Sequence, residues 1–538
     1  MQLKLIFLVL LLCCAMSASA QTGTTHTMRA ITLDEAISLA LQHNYDIQIQ
    51  KINPEIASYS LGISSASYDP TFFMSAQHNY SLSPGGIDAQ ARTFAGNETD
   101  TDTFRAGFSG ILPSGMTYTL NTSAADTHGT RPGNILDFGT IQNISTNYIR
   151  DVNNPNSLIG YSTSTNYGTT GVRFPFENAN ANVGAVTLTQ PLLKNFWIDT
   201  TRANIYVARN QLKYSEQAFR FQLMLTVNAV EQAYYNLIFA RENLKVQEAA
   251  LALAQRLLDD NKKKVEVGAM APLDEKQAES QMAASRADLL GAQRSLEQQE
   301  NILKNLITDK YTEWHTVNLA PSENLIAVPE VLNLQESWQK GMKQRPDLIQ
   351  ARLDVDRSDI NVRLDKNQLL PQLDLVGQYG YAGSGPEFSR GFGQVKGMDN
   401  PFWYYGVQLN YPIGSRAARN NYKIAKAQKR QVQLLLKQKE QDVMVEIDDA
   451  VKLVQTNFER VEATRQARTF AEAALDAEQK KLANGKSTSF FVLQFQRDLT
   501  TARFQEIRAL AEYNNSLAQL AFREGTTLDR RKLGVTVK

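Results

Sequence analysis

The chain carries one long pattern twice. Leu33 to Tyr80 returns as Leu334 to Tyr381 at a single constant offset, which places Leu33 on Leu334, Glu35 on Glu336, Asp46 on Asp347, Pro70 on Pro371, Gln77 on Gln378 and Tyr80 on Tyr381. A second constant offset places Gln211 on Gln428, Ala233 on Ala450, Glu242 on Glu459, Lys264 on Lys481, Gly268 on Gly485 and Gln277 on Gln494. Gap-free internal similarity of this extent means that one structural unit was duplicated. Each unit is far longer than a solenoid repeat. The chain is therefore read as two pseudo-symmetric repeats, 21–320 and 321–525, preceded by a segment 1–20 and followed by a tail 526–538.

Segment 1–20 reads as a secretory signal: Lys4, an apolar run from Ile6 to Leu12, and Ala18-Ser19-Ala20 ahead of Gln21. Cys13 and Cys14 fall inside it, so the mature chain is expected to lack cysteine, disulfides, thiolate metal sites and a cysteine nucleophile. Lys and Arg total 56 against 55 Asp and Glu, a near-zero net charge that argues against nucleic acid as a partner. No later run reaches the roughly 18 apolar residues of a transmembrane helix. Residence in a membrane would then require a closed β-barrel.

Residues 30–67 and, in the second copy, 333–369 read as paired helices; Thr32 and Glu35 have the spacing of a capping box. After Asp69-Pro70 the period changes to two. Phe72, Met74, Ala76, Tyr80 and Leu82 alternate with Ser75, Gln77, Asn79 and Ser81, giving a strand at 71–83, and its echo falls at 371–382. Returning strands are expected at 183–192 and 402–412. In the latter, Trp403, Tyr405, Val407 and Leu409 alternate with Tyr404, Gly406, Gln408 and Asn410. Such strands suit a transmembrane barrel or a half-buried soluble sheet.

The first copy carries an insertion at 84–180. Within it, Phe104, Ala106 and Phe108, a turn at Pro113-Ser114-Gly115, and Met116, Tyr118 and Leu120 predict a hairpin over 103–122. The polar remainder, from about Ser123 to Asn180, reads as a long exposed loop.

Helical hairpins follow at 200–309 and 415–523. Leu223, Val230, Leu237, Leu244, Leu251, Leu258 and Val265 recur every seventh residue, as do Met282, Leu289, Leu296 and Leu303. The second copy has Ile447, Val454, Val461, Leu475 and Leu482, with Arg468 interrupting. Heptads of this length specify helices packed side by side at shallow angles. An arm of roughly 65 residues would extend ~100 Å. It cannot bury itself in a compact globule.

Site chemistry is sparse. His26, His43, His78, His128 and His315 show no metal-ligand spacing, and no phosphate loop, nucleophile elbow or HExxH motif is present. Asp274 and Glu275 are helix neighbours that do not face one another, and their acidity suits a helix start. No catalytic, cofactor or metal site is expected, and the chain is not read as an enzyme.

Taken in order, LDEAISLALQHNYDI with its echo LQESWQKGMKQRPDLIQA, the junctions YDPTF, LLPQL, TQPLLKNF and NYPIGSRA, the helix AVEQAYYNLIFARENL, and the tips VGAMAPLDEKQAESQ and NGKSTSFFVLQFQRD resemble the outer membrane efflux protein family, the TolC-like channels. The resemblance spans nearly the whole mature chain, and the 84–180 insertion departs from it. It implies an α+β membrane protein. A homotrimer would form one twelve-stranded outer-membrane barrel, four strands per subunit, continuous with a long periplasmic α-helical barrel, and the inserted hairpin at 103–122 could join that barrel or fold outside it. It also implies a passive exit channel of a tripartite efflux or type I secretion system, docked on a periplasmic membrane-fusion adaptor and an inner-membrane pump of RND, ABC or MFS type.

The resemblance maps adaptor contact to Val267, Gly268 and Ala269 and to Asn484, Gly485, Lys486 and Ser487. An aromatic belt facing lipid is expected from Tyr80, Tyr379, Tyr381, Trp403, Tyr405 and Tyr411. Family members often carry an acidic residue just past the tip, and Asp274 fits in the first copy. The aligned residue in the second is Phe491, beside Phe490, so the gate is expected to join a carboxylate ring to an apolar constriction. The competing reading is a secreted coiled-coil scaffold or adaptor with a soluble β-domain.

Overall fold

The computed structural model describes residues 27–87, 93–150, 154–156 and 158–534; the expected signal segment 1–20, with Cys13 and Cys14, lies outside them. The principal helices are α1 (Leu33–His43), α2 (Tyr45–Ser65), α3 (Thr200–Glu266), α4 (Pro272–Ile307), α5 (Leu334–Gln344), α6 (Pro346–Asn367), α7 (Phe388–Gly397), α8 (Arg416–Ala483) and α9 (Ser489–Glu524). The principal strands are β1 (Thr27–Ile31), β2 (Thr71–Ser83), β3 (Asn97–Ile111), β4 (Thr117–Arg150), β5 (Leu158–Pro191), β6 (Val317–Pro321), β7 (Gln372–Gly385) and β8 (Pro401–Asn410). The chain divides into two units. One draws on residues before Ser60, on Asn210–Arg357 and on Arg430–Lys538; the other comprises Ser60–Arg209 and Ser358–Lys429. No described helix is long and apolar enough to cross a membrane.

The first unit is helical, and its packing follows the heptads. Leu223, Val230, Leu237, Leu258 and Leu303 are buried, as are Ile447, Val454, Val461 and Leu475. Leu223, Val230 and Leu237 share a core with Ile31, Ala36 and Ile37, and with Leu303 and Ile307 of α4. Val443, Ile447, Val454 and Val461 of α8 pack on Ala509, Tyr513 and Leu517 of α9. A third cluster joins the two hairpins through Leu257, Leu475, Val492, Leu493 and Leu499. Arg468 breaks the ladder because it pairs with Glu472 on its own helix at 3.1 Å and with Glu506 on α9 at 2.6 Å.

Thr32 caps α1 through its Oγ1, which accepts the Glu35 N–H at 3.2 Å. Residues 30 and 31, expected to be helical, instead end β1, which pairs in parallel with β6. Helix propensity at Ala30-Ile31 yields to this ladder, in which Ile31 is fully buried.

The joints between the paired helices are aligned in sequence but chemically different. Asn44 ends α1, accepts the N–H groups of Asp46 and Ile47 at 3.0 and 3.3 Å, and donates to the Leu306 carbonyl at 3.1 Å. At the equivalent joint Arg345 is buried; it grips Asp347 at 2.7 and 3.0 Å and Glu446 at 2.6 Å. Lys439 reaches Asp347 at 2.9 Å and Arg523 reaches Glu446 at 2.9 Å. Burial alone would raise the Asp347 carboxyl, but hydrogen bonds from Arg345 and Lys439 outweigh it and hold the pKa at about 2.

The second unit holds a six-stranded antiparallel sheet in the order β8-β7-β5-β4-β3-β2. This corrects two expectations. Most of the insertion at 84–180 is not a loop: β3, β4 and the first part of β5 occupy it, and the hairpin expected at 103–122 pairs fully into the sheet. The sheet of one chain therefore has six strands, where the resemblance implied four and the insertion left the count open. The strands escaped a pattern reading because Thr, Ser and Asn populate both faces, so the period-two contrast that marks a half-buried strand is missing. Met116 starts the return through its carbonyl, which accepts the Leu112 N–H at 2.8 Å, with Gly115 at φ +84°. Helix α7, between β7 and β8, is a further element that the strand pattern did not indicate. Its Gly391 lies so close to Gly383 that a Cβ on Gly383 would meet the Gly391 carbonyl at 2.0 Å.

Candidate functional site

Two places gather the singled-out residues. The first is the pair of helical turns. Helix α3 ends where Gly268 takes φ +73°, and α8 ends where Gly485 takes φ +70°. The Gly268 N–H donates to the Val265 carbonyl at 3.0 Å and the Ala269 N–H to Lys264 at 2.7 Å. In the second turn Gly485 donates to Leu482 at 3.1 Å and Lys486 to Lys481 at 2.9 Å. Both are Schellman motifs built from aligned residues, and the left-handed position requires glycine or a close substitute. Val267, Gly268, Ala269, Asn484, Gly485 and Lys486 are exposed, while Ser487 is half-buried with its hydroxyl on Glu478. Hydrogen bonds from Ser487 and Lys481 hold the Glu478 carboxyl below its ordinary range.

Beyond the turns the hairpins touch. Ser489, fully buried at the start of α9, donates from Oγ to Asp274 Oδ1 at 3.1 Å, in the first turn of α4. Asn261, also fully buried, donates to the Asp274 carbonyl at 3.4 Å. Phe490 and Phe491, expected from the sequence to line a gate, stand in the open, about half exposed, with ring centroids 5.7 Å apart. Ser489 and Asn261 had no sequence signal, since their partner lies on the other hairpin or across the turn.

The second place is the sheet face. Cross-strand register sets Phe72, Phe108, Leu120, Val186, Tyr379 and Trp403 in one row across all six strands, and every one is exposed. The neighbouring row on the opposite face reads Thr71, Ser109, Thr119, Thr187, Gln378 and Tyr404. This row is thus apolar without a core to cover it and the row behind it bears hydroxyls and amides, while farther along β2 the same face as Phe72 turns polar at His78, opposite Asp102. Of the expected belt, four residues meet: Trp403 stacks on Tyr405 at 5.9 Å and Tyr379 meets Tyr381 edge-on at 5.6 Å. Tyr80 stands apart on β2, near Glu98. Tyr411 follows the last residue of β8, at the opposite end of the strand pair from Trp403.

Strand pairing also assembles a cluster that sequence spacing hid. His78 Nδ1 lies 3.0 Å from Asp102 and 3.3 Å from Asp100, with His128 Nε2 3.7 Å from Asp100. No group of three or more such side chains among the described residues could hold a metal ion.

A family model for outer membrane efflux proteins matches residues 158–308 and 339–526, more than half of the chain. The cation efflux system protein CusC of Escherichia coli K12 is 26% identical over 293 residues, covering 54% of this chain and 61% of that protein. The outer membrane protein TolC of Vibrio cholerae is 24% identical over 313 residues, covering 57% of this chain and 69% of that protein. The aligned part thus spans about three fifths of the CusC relative's length. Among solved structures, a membrane protein from Pseudomonas aeruginosa aligns with TM-score 0.64 at 16% identity, covering 97% of this chain and 95% of that one. The Campylobacter jejuni CmeC outer membrane channel aligns with TM-score 0.61 at 16% identity, covering 92% and 86%. With long helical hairpins and a β-domain in one chain, and the family model spanning both repeats, the chain belongs to the outer membrane efflux protein family and is an outer-membrane protein extending into the periplasm.

Proposed function

We propose that three copies of this chain form a passive exit channel, the outer-membrane element of a tripartite efflux or type I secretion system. The observation that carries this reading is the uncovered apolar row that crosses all six strands from Phe72 to Trp403. A soluble sheet buries such a face against a core; a barrel turns it to lipid and its hydroxyl-rich face to water. Its dimensions suit a bilayer. From Pro401 to Asn410 the ten residues of β8 run about 33 Å at ~3.3 Å per residue. Tilted by about 40°, it rises ~25 Å, the height of the apolar band of outer-membrane barrels.

The helical hairpins, four long helices per chain, supply the periplasmic duct. Their two like-built tips, Val267–Gly268–Ala269 and Asn484–Gly485–Lys486–Ser487, offer six similar sites in a trimer to a periplasmic membrane-fusion adaptor. That adaptor links the duct to an inner-membrane pump of RND, ABC or MFS type. The pump supplies energy and chooses the cargo, and the channel supplies a path. Asp274, Phe490 and Phe491 form the gate at the tip end.

A coiled-coil scaffold with a soluble β-domain is the competing reading, and the six-strand apolar row opposes it. Membrane fractionation separates the two. The channel is expected to stay in the outer-membrane pellet through a carbonate wash and to migrate as a trimer until heated. Release by carbonate would favour the scaffold.

A further inference from the structure

We infer that the inserted hairpin is part of the barrel wall, so that the exit barrel of a trimer has eighteen strands and is half again as wide as a twelve-stranded one. The inference rests on the channel reading above and departs from the strand count that the family resemblance implies. Three observations carry it.

The first is register. β3 pairs with β2 from Ser109 to Asn97 and with β4 from Glu98 to Ile111, without a bulge in either ladder. A hairpin folded outside a barrel would leave β2 beside β5; here two full strands separate them. The second is chemistry. The row from Phe72 to Trp403 stays apolar and exposed through Phe108 and Leu120, the residues the insertion contributes. The opposite row stays polar through Ser109 and Thr119. An appendage in water would have no reason to continue both patterns in phase.

The third is closure. β2 and β8 are the sheet edges, each with one side unpaired. In hydrocarbon those backbone groups must be bonded, which forces the edges of neighbouring copies together. All neighbours in the sheet are antiparallel and six is even, so β8 of one copy meets β2 of the next antiparallel as well. Closure then repeats every six strands.

Strands ~4.8 Å apart at a tilt of about 40° give a backbone diameter of roughly 24 Å for twelve strands and roughly 36 Å for eighteen. Side chains narrow both, but the wider barrel still leaves an aqueous passage of the kind that 16–18-stranded porins have. The barrel is therefore no size filter. Discrimination by size falls to the helical tips, and the exit accepts hydrated solutes of macromolecular width.

Two measurements test this on the full chain in outer membranes. Beyond Cys14 the sequence holds no cysteine to compete. In Met74→Cys/Ala106→Cys the paired thiols are expected to cross-link within the chain, and in Phe72→Cys/Val186→Cys they are not. The reverse pattern would overturn the inference, because it would place β2 directly on β5. In planar bilayers, neutral polyethylene glycols added from the strand side are expected to enter at a radius about 1.5-fold larger than in a variant with 84–174 replaced by a two-residue turn. Equal cut-offs would also overturn it. Failure of the full chain to enter membranes at all would defeat the channel reading itself, a distinct result.

Discussion

Ser489 Oγ donates to Asp274 Oδ1 over 3.1 Å, so the first turn of one helical hairpin's return arm is tied to the first turn of the other's. The tie is half-buried: Ser489 is inaccessible to solvent and Asp274 partly exposed. A hydrogen bond to a charged acceptor contributes about 1.5–3 kcal/mol, far more than an exposed one. Under the proposed gate at the tip end, this bond is expected to favour the closed arrangement. Ser489→Ala and Asp274→Asn are expected to raise the open fraction of reconstituted channels by roughly tenfold, since about 1.4 kcal/mol is a factor of ten. Unchanged open probability in both variants would show that the bond is structural only.

Phe490 and Phe491 remain half exposed beside that tie. If they form the apolar part of the constriction, Phe491→Ala widens it without touching the hydrogen bond. Closed-state current in planar bilayers is expected to rise, while thermal stability stays within about 0.5 kcal/mol of the parent, as for an exposed side chain. Unaltered closed-state current would rule out an aromatic constriction.

Gly268 and Gly485 hold positive φ, and a methyl group added at either Cα would meet no atom within 4 Å, so any cost of alanine there is conformational and not steric crowding. Gly268→Ala or Gly485→Ala is expected to destabilise the hairpin by about 1–2 kcal/mol, read as a lowered Tm. Asparagine, which tolerates the left-handed region, should cost less. Adaptor affinity measured on the asparagine variants then reports the shape of the tip without loss of the turn. Affinity equal to the parent's in both single variants and the double variant would place the contact elsewhere.

The joint at Arg345 gives the helical unit an acid limit. Asp347 titrates at about 2 in the folded chain against 3.8 for the free side chain, so it is depressed. A depressed carboxyl contributes stability above its unfolded pKa and loses it as pH falls through the folded value. The contribution, about 2 kcal/mol, is therefore whole at neutral pH and fades between pH 4 and pH 2. Asp347→Asn should lower Tm at pH 7 and flatten the decline over that interval. A parent Tm that does not fall between pH 4 and pH 2 would contradict the assignment.

How much of this was legible in the sequence follows from where each signal is local. The heptads in α3 and α8 predicted burial at Val230, Leu237, Ile447 and Val454 because a long helix repeats its environment every seven residues. The glycine turns were legible because Gly268 and Gly485 interrupt otherwise continuous helix formers. β8 was legible because Trp403 to Leu409 alternate. β3, β4 and the first part of β5 were not legible as a whole, since a strand with threonine and asparagine on both faces has no contrast to read. The pairings of Ser489 with Asp274, and of His78 with Asp102, join residues far apart in the chain, and no spacing rule reports them.

Whether copies of this chain close one water-filled passage is decided by single-channel recording of the purified full chain in planar bilayers. Passive, ohmic current carried by trimers is expected, present without any nucleotide or ion-gradient coupling and increased by Ser489→Ala. A chain that inserts as a trimer yet conducts nothing, in the parent and in Ser489→Ala alike, would show that no such passage forms.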